Sequence, residues 1–400
     1  MSNQMIQGYF DYNATTPVSD KVAEAVKSNI ELFANASSIN SYSTANKSRL
    51  RSFRKTVASL IGTEDEKVFF TSGGSEANNW AIKSTLFQLT KTPGHIITTA
   101  IEHPSVLETV KYFATQFGFE LSLVLPQADG AVSVEDVVSA IRPDTQLVSM
   151  MYANNETGVL QPVEAIAKIT RAKNIKFHVD AVQVVGKRKI DVEKIGVDYL
   201  SFSGHKFYGP KGIGALYIRD PDSITPLIHG GGQEMAKRSG TENLIAIAGL
   251  AKAAEEVNTH VEQHDLHCFE CKKYLIRLLT ESHIDFRFNG NLDYEKSISN
   301  TLNILVPGVR AEALAALMEK KHGIIISIGS ACSNNKIKKL SHVLKAMGMS
   351  ETDIQSSIRV SFGRFTTAKA IRELVQSLEF CTNMLMEISF EKKSLVGLVQ

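Results

Sequence analysis

The chain has 400 residues, of which 43% are hydrophobic and 22% are charged, which is enough apolar material for two domains. Lysine and arginine together number 44 and aspartate and glutamate 42, so the net charge is +2. This balance gives no electrostatic reason to expect binding to nucleic acid or to an acidic membrane. Because the sequence shows neither a signal peptide nor an apolar run that could span a bilayer, we expect a cytoplasmic protein.

The chain contains four cysteines, which are Cys268, Cys271, Cys332 and Cys381. So few cysteines do not make a disulfide framework, and any functional cysteine should act as a thiol. Cys268 and Cys271 form a C-x-x-C motif, but the motif lies inside a helical pattern, and no second ligand pair follows at zinc-finger spacing. We therefore predict no metal site; a zinc or redox role for this pair is the alternative.

Two helical patterns come first, at residues 16–32 and 45–60, on either side of a polar loop. Apolar strands then alternate with helical patterns, and continuous apolar strands of this kind form mostly parallel sheets that are covered on both faces. The strands are predicted at residues 68–71, 95–100, 121–125, 147–152, 176–179, 199–202 and 214–218. The last two are joined too tightly for a helical crossover, so one of them should be antiparallel.

A long helical pattern at residues 242–261 is expected to lead into a second domain. The rest of the chain mixes helices at 268–282, 312–319 and 368–387 with strands at 301–305, 324–328 and 358–361. We therefore expect a large α/β domain at residues 14–258. Residues 1–13 and 259–400 should form a smaller α+β domain.

Polar segments follow five of the strands of the predicted sheet, at residues 72–76, 102–104, 154–158, 180–183 and 203–206. Loops at the carboxyl ends of parallel strands meet in one crevice. The five segments therefore predict a single site.

Two of these segments carry groups that suit an aldehyde and a phosphate. Lys206 stands just past the end of an apolar strand, where burial favours the neutral amine that condenses with aldehydes. The alternative is an ordinary surface lysine. Gly73, Gly74 and Ser75 open a helix whose first N–H groups could bind a phosphate, although two glycines before a helix can also be a simple turn.

Asp180 ends a buried strand and needs a cationic partner or several hydrogen bonds to stay ionised. A pyridinium nitrogen would supply that charge; a helix N-cap or a structural ion pair is the alternative. His103 precedes a helix that starts with proline, so it is either an N-cap or a ring for stacking and proton transfer. Together with Lys206 and the phosphate cradle, these groups match the requirements of pyridoxal phosphate.

Four motifs resemble those of the class V aminotransferase-fold cysteine desulfurases, in particular the NifS/IscS-like group. They are SGHK at 203–206, HVDAVQ at 178–183, NNETG at 154–158 and GGGQE through RSGT at 230–241. The resemblance runs from residues 9–17 to residues 363–367. It implies a fold like that of aspartate aminotransferase and other pyridoxal-phosphate-dependent transferases, in a homodimer that uses L-cysteine and passes sulfur to an acceptor protein.

The resemblance also implies a role for each matching residue. Lys206 would bind the cofactor aldehyde, Asp180 the pyridine nitrogen and Gln183 the region of the ring hydroxyl. His103 would stack on the ring and act as an acid and base, with Asn155 close to cofactor and substrate. The phosphate would be bound by Gly74, Ser75, Ser203 and His205, and by Thr241 of the neighbouring subunit.

Cys332 lies in a loop rich in glycine, serine and asparagine, where a nucleophile could move, whereas a packing cysteine would sit in an apolar run. In the family, this cysteine attacks the sulfur of the substrate and carries it as a persulfide; an incidental loop cysteine is the alternative. Arg359 matches the arginine that binds the substrate α-carboxylate, a role that suits a planar, charged fork. Its alternative is a surface arginine on a strand.

The chain departs from the family pattern at Ala36, where proline is usual, and near Ser41, where histidine is usual. The segment after Cys332 and the C-terminal segment also differ, so the acceptor stays open between iron–sulfur cluster assembly, tRNA thiolation and DNA phosphorothioation. Three other functions compete with a desulfurase: a selenocysteine lyase, an ordinary aminotransferase, and a sulfur-relay scaffold without catalysis.

Overall fold

The computed structural model describes residues 7–328 and 340–397. Its larger sheet has seven strands in the order β1-β7-β6-β5-β4-β2-β3. The strands are β1 Val68–Thr71, β2 His95–Thr99, β3 Glu120–Val124, β4 Thr145–Met151, β5 Lys176–Asp180, β6 Tyr199–Ser203 and β7 Gly214–Ile218. The five strands β2 to β6 pair in parallel, while β7 runs antiparallel to β6 and β1. Both the mostly parallel sheet and the antiparallel strand were predicted.

Seven helices accompany the chain through this sheet. They are α1 Asp20–Asn29, α2 Ser41–Ser59, α3 Gly74–Phe87, α4 Pro104–Phe117, α5 Val134–Ala140, α6 Val163–Ala172 and α7 Val192–Ile195. α6 shows why they pack as they do, since Val163, Ile166, Ala167 and Thr170 are buried and recur at the spacing of one helix face. Strands β1, β6 and β7 are buried along their whole length, so the sheet forms the main core.

A second, antiparallel sheet has the order β10-β11-β9-β8. Its strands are β8 Arg287–Asn289, β9 Thr301–Leu305, β10 Ser327–Ile328 and β11 Ser357–Ser361. The accompanying helices are α8 Leu244–Glu281, α9 Ala311–His322, α10 His342–Ala346, α11 Glu351–Gln355 and α12 Ala368–Gly397. Leu275, Ile304 and Leu374 belong to the separate hydrophobic cluster of this sheet.

Helix α8 consists of two helical segments that meet in a kink at His260, whose φ is −131° and ψ is 15°. Two helices were predicted between residues 242 and 282, but the second segment begins directly after the kink and not at residue 268. The expected domain limit at residue 258 lies next to this kink, and the division into domains stays a prediction. Helix α1 also begins later than expected, at Asp20, because the Ser19 side chain accepts a hydrogen bond from Val22 N–H and caps the helix there.

The segment before α1 connects the two sheets. Tyr9 and Asp11 form bridges to Ile325 and Ser361 beside the second sheet. A few residues later, Thr16 N–H donates to the carbonyl of His205 at 2.9 Å, just past the end of β6. Residues 9–16 therefore bring the second sheet to the carboxyl end of the first. No helix of the described residues combines the length and apolar character needed to cross a bilayer.

Candidate active site

A cavity of about 390 Å³ opens at the carboxyl ends of the parallel strands. It brings together nearly all of the residues predicted for the site: Gly74, Ser75, His103, Asn155, Asp180, Gln183, Ser203, His205, Lys206 and Arg359. Most of them follow the strands of the larger sheet and meet as the convergence of strand ends predicts, whereas Arg359 comes from β11 of the second sheet.

Lys206 lies in the short 3-10 turn that follows β6. Its Nζ donates to the carbonyl oxygens of Asn13, at 2.6 Å, and Ala14, at 2.9 Å. Burial and, to a smaller extent, the charge of Arg359 lower the pKa of Lys206 to about 8, against the opposite effect of Asp180 and Asp11. The neutral amine is thus accessible near neutral pH, as the sequence position predicted.

Asp180 ends β5 and faces the cavity with two hydrogen bonds. One oxygen accepts from Val182 N–H at 3.0 Å, and the other accepts from Asn78 Nδ2 at 2.7 Å. Both partners are uncharged, so they stabilise the carboxylate without neutralising it. A negative charge is therefore held at the cavity wall.

His103 is a helix N-cap, one of the two interpretations made from the sequence, while its role in stacking and proton transfer stays a prediction. It is the N-cap of α4, because its side chain accepts a hydrogen bond from Ser105 N–H, and its ring also lines the cavity. Burial lowers the pKa of His103, Lys206 and His342 lower it further, and Asp180 opposes this effect. The ring is therefore neutral at physiological pH.

The N-terminus of α3 forms the opposite wall. Gly73 is its N-cap and supplies no side-chain hydrogen bond, so the first N–H groups of the helix are left for a ligand. A Cβ atom on Gly74 would lie 2.6 Å from Cγ2 of Val182, and one on Gly214 would lie 2.8 Å from Cα of Gly73. Glycine is thus required both at position 74, at the start of α3, and at position 214, which packs behind Gly73.

Arg359 is buried in β11, so the interpretation as a surface arginine was wrong. Its Nη1 donates to the carbonyl of Asn155 at 2.9 Å, and its Nη2 donates to Oδ1 of Asp11 at 2.5 Å and to Oγ of Ser327 at 3.0 Å. Its Nε has no hydrogen-bond partner among the residues that the structure describes. The guanidinium is thus held in place with one buried donor to spare.

Asn13 is a site residue that sequence reasoning missed. Its carbonyl accepts from Lys206 and, at 3.1 Å, from Gln183 Nε2, while its own amide donates to the carbonyl of Asn155 at 3.1 Å. Nζ of Lys187 donates to Oε1 of Gln183 at 2.6 Å. Asn13 stands in a motif that resembles the family, but its partners are 140 or more positions away, so no local pattern indicated its role.

Thr241 does not line this cavity. It lies in a second cavity of about 170 Å³, together with Ser72 and Arg238. Its role from a neighbouring subunit stays a prediction. Cys332 lies outside the described residues.

Cys268 and Cys271 are buried along α8. Sγ of Cys271 lies 3.7 Å from Nε2 of His267, and burial raises the pKa of Cys271 to about 11. The described part of the chain contains no group of three or more histidine, cysteine, aspartate or glutamate side chains that could hold a metal ion.

The family model of the class-V aminotransferases matches residues 8–374. The chain belongs to this family. Within the class-V family it groups with cysteine desulfurases: the cysteine desulfurase IscS of Dictyoglomus turgidum is 39% identical over 382 residues, which cover 95% of this chain and 96% of the relative.

Two solved structures extend the similarity to three dimensions. A NifS-like protein is 37% identical with a TM-score of 0.87, covering 94% of this chain and 99% of its own. SspA in complex with cysteine is 35% identical with a TM-score of 0.79, covering 90% of this chain and all of its own. Class-V aminotransferases and their cysteine desulfurases depend on pyridoxal phosphate.

Proposed function

We propose that this class-V protein binds pyridoxal 5′-phosphate in the cavity at the strand ends and moves the sulfur of L-cysteine onto Cys332. The observation that carries the proposal is one cavity that holds an amine of lowered pKa, a carboxylate and an imidazole. The relatives named cysteine desulfurases and the SspA complex with cysteine support the choice of substrate.

The described residues fit this cofactor group by group. Lys206 would hold its aldehyde, and Asp180 would pair with the ring nitrogen through a carboxylate whose two hydrogen-bond donors are uncharged. The uncapped start of α3, with Ser75, Ser203 and His205, would hold the phosphate. Gln183 would meet the ring hydroxyl and His103 the ring face.

When bound, the cofactor supplies an aldehyde that bonds to amines and a ring that takes up electron density from the carbon skeleton of an amino acid. The protein supplies the rest. Lys206 takes and returns protons because a pKa of about 8 gives its amine both a protonated and a neutral fraction near physiological pH. Arg359 and Asn155 orient the substrate carboxylate, with the free Nε of Arg359 as an additional donor.

Sulfur transfer is assigned to Cys332 on sequence grounds. Its thiolate forms an S–S bond to the sulfur of cysteine while the C–S bond of the substrate breaks, with the electron pair going to the substrate carbon. A proton then completes L-alanine, and the enzyme keeps the persulfide. From there, sulfur would pass to an acceptor protein in iron–sulfur cluster assembly, tRNA thiolation or DNA phosphorothioation.

A homodimer in the cytoplasm belongs to the same proposal. Thr241 would then complete the phosphate site of the partner, since in its own chain it lies in a different cavity. Apolar side chains exposed on the single chain support a second copy as their cover: Ile30, Phe33, Ile39 and Tyr42. The rings of Phe33 and Tyr42 lie 6.2 Å apart, so this surface is continuous there.

Borohydride reduction of the purified protein tests the cofactor site. We expect a pyridoxyl group on the peptide that contains Lys206, identified by mass spectrometry, and none in a Lys206→Ala variant. A colourless protein without this label would favour the sulfur-relay scaffold.

The Cys332→Ala variant tests the reaction. It should retain the visible absorbance of the cofactor but lose alanine release from L-cysteine, because the sulfur acceptor is gone. Unchanged turnover would favour a selenocysteine lyase or an ordinary aminotransferase. In the unsubstituted protein, following radiolabelled sulfur from the Cys332 persulfide into a cell extract would identify the acceptor.

A further inference from the structure

Asn78 links Asp180 to His103 through hydrogen bonds. Its Nδ2 donates both to Oδ2 of Asp180, at 2.7 Å, and to Oγ of Ser105, at 2.9 Å. Oγ of Ser105 in turn lies 2.7 Å from Nδ1 of His103. Asn78 is buried in α3 and Ser105 lies in the first turn of α4, so the connection is made between two helices.

The donors in this chain of hydrogen bonds fix its direction. The backbone N–H of Ser105 also points at Nδ1 of His103, at 3.1 Å, and a backbone N–H can only donate. Nδ1 therefore accepts, and the neutral ring must carry its proton on Nε2. Because the Ser105 hydroxyl already accepts from the amide of Asn78, its own hydrogen is free to donate to Nδ1 as well.

The carboxylate of Asp180 fixes the orientation of the Asn78 amide. If this amide were flipped, its oxygen would face Oδ2 of Asp180 at 2.7 Å, and two acceptors would oppose each other. The ionised carboxylate thus requires the NH₂ group on its side. The same NH₂ group then orients the hydroxyl of Ser105.

We propose that Asn78 and Ser105 are positioning residues through which the carboxylate of Asp180 fixes the proton of the neutral His103 ring on Nε2. The relay is a property of the chain itself, and only its consequence for catalysis rests on the proposed function. Once the cofactor is bound, His103 offers an N–H donor to the cavity. Accepting a proton on Nδ1 would break both bonds from Ser105, so Lys206 is left as the base of the site.

The charged and titratable groups around His103 come from three elements. Asp180, at the end of β5, favours the protonated ring, whereas Lys206, after β6, and His342, in α10, disfavour it. The hydrogen bonds to Nδ1 also lower the pKa of His103, as Lys206 and His342 do, because they stabilise the lone pair that protonation would remove. Loss of a donor to Nδ1 must therefore raise the pKa of His103.

The test uses NMR of the full-length chain labelled with ¹⁵N-histidine, measured as purified and after removal of bound cofactor. A His103→Gln variant identifies the signals of this ring. We expect the chemical shifts of a bare Nδ1 and a protonated Nε2 near neutral pH. A ring with its proton on Nδ1, or an even mixture of tautomers, would overturn the proposal.

Two variants of Asn78 test the relay itself. Asn78→Asp keeps the shape of the side chain but offers an acceptor to the Ser105 hydroxyl, so this hydroxyl should turn from Nδ1 of His103 towards the new carboxylate. Asn78→Ala removes the amide that donates to Oγ of Ser105. We expect the pKa of His103 to rise by about 0.5 to 1 in Asn78→Ala, the value of roughly one hydrogen bond, and by more in Asn78→Asp, which adds a negative charge.

Asn79→Ala is the matched control, because this neighbouring amide of α3 bonds to the carbonyls of Ser75 and Ser105 and to the Thr109 hydroxyl, but not to Oγ of Ser105, through which the relay passes. If Asn79→Ala shifts the His103 titration as much as Asn78→Ala does, or if Asn78→Asp matches the wild type, the relay is wrong. A chain that never binds pyridoxal phosphate would refute the proposed function, while the ring nitrogens would still report on the relay.

Discussion

Glu102 is a buried carboxyl directly before His103, and its environment opposes ionisation. One oxygen accepts from the Thr99 hydroxyl at 2.6 Å and from Met151 N–H at 2.9 Å, while the other has no partner. Burial is the main reason that the pKa of Glu102 is raised to about 8, and Asp180 adds to this effect. The folded protein therefore keeps a proton on Glu102 that the unfolded chain releases.

This proton makes stability depend on pH. Between the unfolded pKa of about 4.5 and the folded pKa of about 8, the folded state binds the extra proton. The free energy of unfolding should then decrease as pH rises, by at most about 1.4 kcal/mol per pH unit. We expect Glu102→Gln to flatten this dependence in urea unfolding between about pH 5.5 and 8. Glu108→Gln, at an exposed position of α4, should leave the slope unchanged.

Sequence reasoning identified the groups of the site that stand at strand ends, such as Lys206 and Asp180, because topology alone brings strand ends together. It did not identify Asn13 or Asn78. Their roles come from partners far away in the chain, and an asparagine without such partners looks like any other polar residue. The pairing of Asp11 with Arg359 was hidden for the same reason, with 348 positions between the two residues.

At the scale of elements, the turn that contains Glu234 is held by one ion pair. Glu234, Met235 and Ala236 have φ values of 47°, 57° and 60°, a conformation that costs energy in residues other than glycine. The carboxylate of Glu234 binds both Nη atoms of Arg54 at 2.6 Å and accepts from Phe70 N–H at 2.9 Å. These buried bonds offset the cost of the left-handed backbone.

Glu234→Gln should therefore be costly. It leaves the buried guanidinium of Arg54 without its counter-charge, and breaking such a pair costs about 3 to 5 kcal/mol. We expect a loss of this size in chemical unfolding and faster proteolysis within residues 230–241. As a control, Glu66→Gln removes an exposed pair with Arg51 and should cost less than about 1 kcal/mol. Equal losses in the two variants would show that Glu234 does not hold the turn.

Element limits were predicted best where apolar strands end in polar segments, as in β1 and β7. They were predicted worst where a capping side chain sets the start of a helix, as Ser19 does for α1. A strand as short as β8, with three residues, is also too short to show a recognisable hydrophobic pattern. The two helices predicted between residues 242 and 282 meet at the non-helical His260, but the prediction left residues 262–267 out of both of them.

For the whole molecule, the proposed dimer predicts a specific sensitivity to charge. Phe33 is 86% exposed and Ile39 fully so. We expect Phe33→Asp combined with Ile39→Asp to produce monomers in size-exclusion chromatography with light scattering, because burying two carboxylates in an interface is unfavourable. Leu125→Asp, an exposed apolar position after the edge strand β3, should remain dimeric. A dimer that survives the double substitution would place the interface elsewhere.

The order in which the chain leaves the ribosome matters for this protein. Tyr9 and Asp11 are translated more than three hundred residues before Ile325 and Ser361, the residues with which they form bridges. The carbonyls that accept hydrogen bonds from Nζ of Lys206 belong to the same earlier segment. A nascent polypeptide therefore cannot close the cavity around Lys206 until translation has passed Ser361.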